Sequence, residues 1–186
     1  TTGLWLTELT HFYDVILQAG YRMDFVSPLG GKVPLDERSL GWLYMDDAAR
    51  AYLQDQAFMG RLQASKAAAS VNPAEYLAIY YTGGHGTMWD FKGNKDLQRI
   101  AEAIYRQGGI VSSVCHGAAG LLDLQTEGGR PLIEGRLVTG FSNTEETLSG
   151  VKDQVPFLLQ DELQSRGAKY DKSIIPFRSY AVTDGR

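Results

Sequence analysis

The chain has one cysteine, Cys115, in 186 residues, so no internal disulfide is available to it. Its three histidines, His11, His85 and His116, form no recognisable metal-ligand spacing with a single thiol, and no metal or other cofactor is expected. No apolar run reaches the roughly 18 residues of a membrane span, and no signal-peptide pattern is present. Basic clusters are also missing. With 18 Lys and Arg against 22 Asp and Glu, the net charge of −4 gives nucleic acid or an anionic membrane no electrostatic foothold. A reducing, cytoplasmic setting fits these absences, with small molecules or proteins as partners. Internal repeats and low-complexity segments are absent too. What is present is enough apolar material, 44%, for one substantial core, so a single domain over residues 1–186 is expected.

Helical and strand-like segments alternate along the chain. Leu9, Phe12 and Ile16 share a helical face within 7–19, and Gly20 supplies a stop. Alternation over 22–27 predicts a strand running into the Pro28-Leu29-Gly30-Gly31 loop. The alanine-rich patch 64–69 predicts helix. An apolar strand at 76–81 ends in Thr82-Gly83-Gly84-His85-Gly86. A helix follows, with Asn94 as cap, Leu97, Ile100, Ala101 and Ile104 on one face, and Gly108-Gly109 as terminator. Strand 110–113 completes a βαβ unit, whose parallel strands place their following loops at one sheet edge. A weaker strand at 136–139, helices near Glu145 and over 157–166, and a strand at 180–183 complete an α/β sandwich, its sheet mostly parallel with helices on both faces.

The chemistry concentrates where strand 110–113 stops. Val114-Cys115-His116-Gly117-Ala118 reads as a sharp strand-to-helix turn, a nucleophile elbow that projects Cys115 from the sheet edge. Free N–H groups and the dipole of the following helix would favour thiolate over thiol. Attack on a carbonyl builds charge on oxygen, and the backbone N–H groups of Gly84 and His116 are candidates to receive it. The loop glycines let the main chain approach a reacting atom, although a structural turn explains them almost as well. His116 could serve as base, with Glu145 or Glu146 orienting it. Ser142 with Glu145 and Asn143 with Glu146 equally spell a capping box, so both carboxylates stay open at this point. Glu8, early in the first helix, is either a dipole-favoured surface acid or a buried acid/base beside the thiol.

Five motifs in order, Gly-Leu-Trp-Leu-Thr-Glu-Leu from Gly3, Ser-Pro-Leu-Gly-Gly from Ser27, Gly-Gly-His-Gly-Thr-Met-Trp-Asp from Gly83, Val-Cys-His-Gly from Val114 and Thr-Gly-Phe-Ser-Asn-Thr-Glu-Glu from Thr139, carry a resemblance. The chain resembles the ThiJ/PfpI, or class I glutamine-amidotransferase-like, superfamily, in the branch of heat-shock chaperones and glyoxalase III. That resemblance implies a flavodoxin-like three-layer α/β/α sandwich with Cys115 as nucleophile, His116 as its imidazole partner and Glu146 as the third member. It makes Glu8 the buried glutamate that hydrogen-bonds the sulfur, and Gly84 with His116 the oxyanion donors. His85 and Trp89 would line the pocket, although packing explains Trp89 equally. The chain opens at Thr1 without the apolar strand that precedes the Gly-Leu-Trp loop in the family, and it stops at Arg186, so a trimmed sequence is expected.

The activity so implied is cofactor-independent glyoxalase III chemistry on a small 2-oxoaldehyde, giving D-lactate from methylglyoxal or glycolate from glyoxal. Two other readings are an amidase, peptidase or deglycase using the same thiol, and a stress-response holding chaperone, for which a homodimer is one expectation.

Overall fold

In a computed structural model, which describes residues 2–186, helix α1 (Leu6–Gln18) buries Leu6, Thr7, Leu9 and Thr10, while its second half turns toward the surface. Strand β1 (Val26–Ser27) is the remnant of the longer strand expected at 22–27, cut short on one side by the Pro28–Gly31 turn. Helices α2 (Asp47–Gln54) and α3 (Gln56–Gln63) follow, capped by the side chains of Asp46 and Asp55 on free N–H groups of their first turns. Strand β2 (Lys66–Ala67) occupies the patch expected to be helical. Pairing with β1 and complete burial of Ala68 override alanine's helix propensity there.

Strand β3 (Ala78–Tyr81), the short helix α4 (Thr87–Asp90), helix α5 (Lys95–Arg106) and strand β4 (Ile110–Ser113) form the expected crossover unit. Asn94 caps α5 by accepting from Leu97 N–H at 3.0 Å, and Leu97, Ile100, Ala101 and Ile104 are all buried. β3 and β4 run parallel from Ala78 opposite Ile110 to Tyr81 opposite Ser113. The glycine loop after β3 and Cys115 after β4 therefore leave the same edge.

Strand β5 (Leu137–Val138), helices α6 (Asn143–Leu148) and α7 (Leu159–Ser165) and strand β6 (Lys169–Tyr170) complete the chain's regular elements, with β5 parallel to β6. All pairing between named strands is parallel, but the strands associate as three separate pairs among the described residues. The segment 180–183, expected to be a strand, runs without a ladder. The Leu137 N–H that a neighbouring strand would use is taken at 2.8 Å by the side chain of Asp184.

Two apolar clusters organise the interior. One joins α1, α2 and α3 through Leu6, Leu9, Ala49, Phe58 and Leu62, with Phe25 and Met45. The other packs α5 and α7 against the crossover strands through Tyr81, Ile100, Ile104, Leu159 and Leu163. No helix among the described residues is long and apolar enough to cross a membrane.

Candidate active site

The site draws residues from both clusters. Glu8 comes from the first turn of α1, and Cys115, His116, His85 and Glu146 come from the crossover half.

Cys115 sits at φ 54°, in the left-handed region that a residue with a Cβ normally avoids. Strain of this kind costs roughly 1–3 kcal/mol and persists only where the surroundings over-determine it. Here the backbone is fixed on both sides, by Val114 N–H donating to Tyr81 O at 3.0 Å and by Phe141 N–H donating to Cys115 O at 3.3 Å. The elbow is therefore present. The helix after it is a 3-10 helix, Cys115–Leu121, buried from His116 onward, in place of an α-helix. Gly117 and Gly120 pack directly on Tyr81, so that a Cβ at either would come within 2.5 Å of it.

His116 Nδ1 lies 3.3 Å from Cys115 Sγ, and its Nε2 lies 2.6 Å from Glu146 Oε2. The ring is almost wholly buried and packed against Phe141, centroid to centroid 4.2 Å. Burial pulls the imidazole below its ordinary value, while the hydrogen bond to Glu146 acts the other way. A neutral ring donating from Nε2 to the carboxylate presents a bare Nδ1 to the thiol. That is the state a general base needs.

Glu146 is 2% exposed. Burial alone would raise its carboxyl, but hydrogen bonds from His116 and His85 hold it down to about 2. The capping role falls to its neighbour. Ser142 and Glu145 form the reciprocal box that starts α6, with Ser142 N–H donating to Glu145 Oε2 at 2.9 Å, and this leaves Glu146 free to turn inward.

Glu8 reaches the other side of the sulfur. Its Oε2 and the Cys115 Cβ fill the space a side chain on residue 83 would need, so Gly83 has to be glycine. Burial raises the Glu8 carboxyl to about 7, against weaker lowering contacts with the Cys115 thiol and the Gly83 N–H. Oε2 itself meets no donor in good hydrogen-bond geometry. The Cys115 thiol is pushed well above its ordinary value, by burial first and by the Glu8 charge second, while the His116 and Gly84 N–H groups lower it. This reverses the expectation of a thiolate favoured by a helix dipole: desolvation and a neighbouring carboxylate outweigh two N–H groups.

The Gly84 and His116 N–H groups lie near enough to the sulfur to lower its thiol. Gly84 adopts φ 107°, and a Cβ there would run into the Gly3 carbonyl and come 2.8 Å from Trp5 N. His85 is buried in the same cluster, 2.7 Å from Glu146 Oε1 through Nε2. Trp89 stands half-exposed on α4 and takes no part in the hydrogen bonding.

Two site residues went unread in the sequence. Arg38 Nη2 is 2.9 Å from His85 Nδ1, and it is held by Asp36, which is fully buried and caps the 3-10 helix Glu37–Leu40. Asp36 followed two residues later by Arg38 was a visible cap-and-clamp signal, but no motif tied it to residue 85.

His85, His116 and Glu146 are, among the described residues, the only such group close enough to hold a metal ion. Each imidazole Nε2 is already engaged with the carboxylate, and Arg38 adds a fixed positive charge beside His85. An open cleft of about 390 Å³ is lined by Glu8, Phe12, Tyr80 and Val114, and by none of Cys115, His116 and Glu146.

This geometry has a close setting among known proteins. The chain is 39% identical to glutathione-independent glyoxalase HSP31 of Saccharomyces cerevisiae, across 100% of its own length and 81% of the yeast protein. The chain belongs to the glutathione-independent glyoxalase family. It is 33% identical to glyoxalase 3 of Candida albicans, covering 81% of that relative. The crystal structure of glyoxalase III from Candida albicans aligns with a TM-score of 0.92 at 31% identity, over 100% of this chain and 80% of that one. Rapid Encystment Protein 24 KDa of Francisella tularensis aligns with a TM-score of 0.94 at 39% identity, over 99% and 80%. A two-domain protein with a DJ-1/ThiJ/PfpI-like domain, 20% identical at TM-score 0.60, shares the fold alone. No protein-family model matches the chain. Membership of the glyoxalase family makes this chain an enzyme with the flavodoxin-like fold read from its motifs.

Proposed function

We propose that this chain is a cofactor-independent glyoxalase that converts methylglyoxal or glyoxal to the corresponding 2-hydroxy acid, with Cys115 as covalent nucleophile. The observation that carries the reading is that His116 Nδ1 lies 3.3 Å from Cys115 Sγ with Glu146 behind it at 2.6 Å, while Glu8 Oε2 and the Cys115 Cβ crowd the same space beside Gly83.

The groups present supply a balanced sequence. His116 Nδ1 takes the thiol proton as Sγ bonds to the aldehyde carbon, and the Gly84 and His116 N–H groups receive the oxyanion. The proton on that carbon is acidified by the adjacent carbonyl. Glu8, with a carboxyl near 7, suits its removal and, after exchange with solvent, the delivery of a proton to the neighbouring carbon through an ene-diol. The first carbon rises to the acid oxidation level as the second falls to an alcohol, its oxygen taking the proton that His116 drew from the thiol, so no electrons leave the substrate. Water then cleaves the thioester, releasing hydroxy acid and the Cys115 thiol.

Incubation with methylglyoxal in deuterated water, without glutathione, tests the sequence. The expected product is D-lactate carrying deuterium at C2. Lactate with protium retained there would replace the ene-diol by direct hydride transfer. Failure to form lactate, with ammonia released from glutamine or cleavage of peptides instead, would favour amide hydrolysis.

A further inference from the structure

His85 lies at the centre of a chain that the nucleophile-base-acid set does not include. Arginine carries no acceptor, so where Arg38 Nη2 meets His85 Nδ1 at 2.9 Å the ring nitrogen accepts. The single proton of the neutral ring then sits on Nε2, facing Glu146 Oε1 at 2.7 Å. The guanidinium is itself fixed. Its Nε donates to Asp36 Oδ1 at 3.1 Å and its Nη2 to Asp36 Oδ2 at 2.8 Å, and Asp36 is wholly buried. Glu146 thus receives one imidazole N–H on each oxygen, helped on Oε1 only by the Ser149 hydroxyl at 3.2 Å.

We propose that Arg38 and His85 are positioning residues for the Cys115–His116 pair. By fixing the tautomer of His85 they supply the donor that locks one oxygen of Glu146, so the other stays turned to His116 Nε2–H and the bare Nδ1 of His116 stays on the thiol. The proposal rests on the reading of Cys115 as nucleophile. It goes beyond a pocket-lining role for His85, because its distances run to Glu146 and Arg38, with the His116 ring beside it at 4.0 Å.

Cys115 is the only cysteine, so its alkylation by iodoacetamide at neutral pH, followed by intact mass, reports the pair without any substrate. His85→Phe keeps a ring and removes both hydrogen bonds. It should slow alkylation about 10-fold or more, the scale of a lost hydrogen bond to a charged group. It should lower kcat for methylglyoxal by a similar factor and leave KM nearly unchanged. His85→Gln retains an acceptor for Arg38 and a donor for Glu146, and should restore both rates to within about threefold of wild type. Arg38→Met, at a partly exposed position, should slow alkylation in the same direction and serves as the decisive variant if His85→Phe does not fold. Alkylation of these variants at the wild-type rate, or a His85→Gln protein as slow as His85→Phe, would overturn the proposal. The expected alkylation pattern in a chain that makes no lactate would uphold the positioning and sink the glyoxalase reading alone.

Discussion

Burial holds the Glu8 carboxyl at about 7 and hydrogen bonding holds that of Glu146 at about 2, and the two shifts act on stability with opposite signs. An unfolded glutamate ionises near 4.5, so the folded chain keeps a proton on Glu8 that the unfolded chain has lost. That contribution is complete below pH 4.5 and disappears as pH rises through 7. Glu8→Gln stays neutral, so its unfolding free energy relative to wild type should gain about 2–3 kcal/mol between pH 5 and pH 8 in urea titrations. Glu146 works the other way: its stabilisation is present above about pH 4.5 and is lost as pH falls toward 2. Glu146→Gln offers one acceptor to two imidazole N–H groups, so one histidine must change tautomer. A fall in kcat of about 10²–10⁴-fold is expected by steady-state assay. Which carboxylate plays this part was open in the residues themselves, because Glu145 and Glu146 each complete a capping box. Only the inward turn of α6 separates them, and that turn depends on packing that local spacing does not encode.

At the scale of elements, the readable parts were those with a strong period or a special residue. α5 showed its four buried side chains and its Asn94 cap in the sequence, and the parallel crossover followed from its flanking apolar strands. α2 and α3 were missed despite Asp46 and Asp55, because α2 buries only Ala49 and α3 only Phe58 and Leu62, too few for a visible stripe. The patch 64–69 shows the converse, a favourable helical composition overruled by one parallel pairing. Two expectations at this scale can be measured. Leu163→Ala, at a fully buried position of α7, should cost about 2–5 kcal/mol in chemical denaturation. Gly84→Ala should lose activity beyond its stability cost, since a Cβ at φ 107° strikes the Gly3 carbonyl and displaces the loop that precedes His85.

Across the whole molecule, the site joins two apolar clusters. One brings Glu8 on α1, the other the elbow, the glycine loop and α6. The sequence motifs named most of these participants but not their electrostatics. The solitary thiol looked like a thiolate poised by a helix dipole, and instead desolvation and the Glu8 charge push it above its ordinary value, because desolvation is a property of the assembled interior. The link from Arg38 to the site was unreadable for the same reason, since its partner His85 lies 47 residues away. The absence of a basic patch has a kinetic counterpart. For an uncharged 2-oxoaldehyde, kcat/KM should stay within about twofold between low and high salt, as no long-range field steers the substrate.

The most direct test is D-lactate formation from methylglyoxal by the native chain and by Cys115→Ala, with folding of both confirmed by circular dichroism. Turnover in the native protein and none above background in the folded variant is the predicted result, and full activity in the variant would contradict covalent catalysis by Cys115.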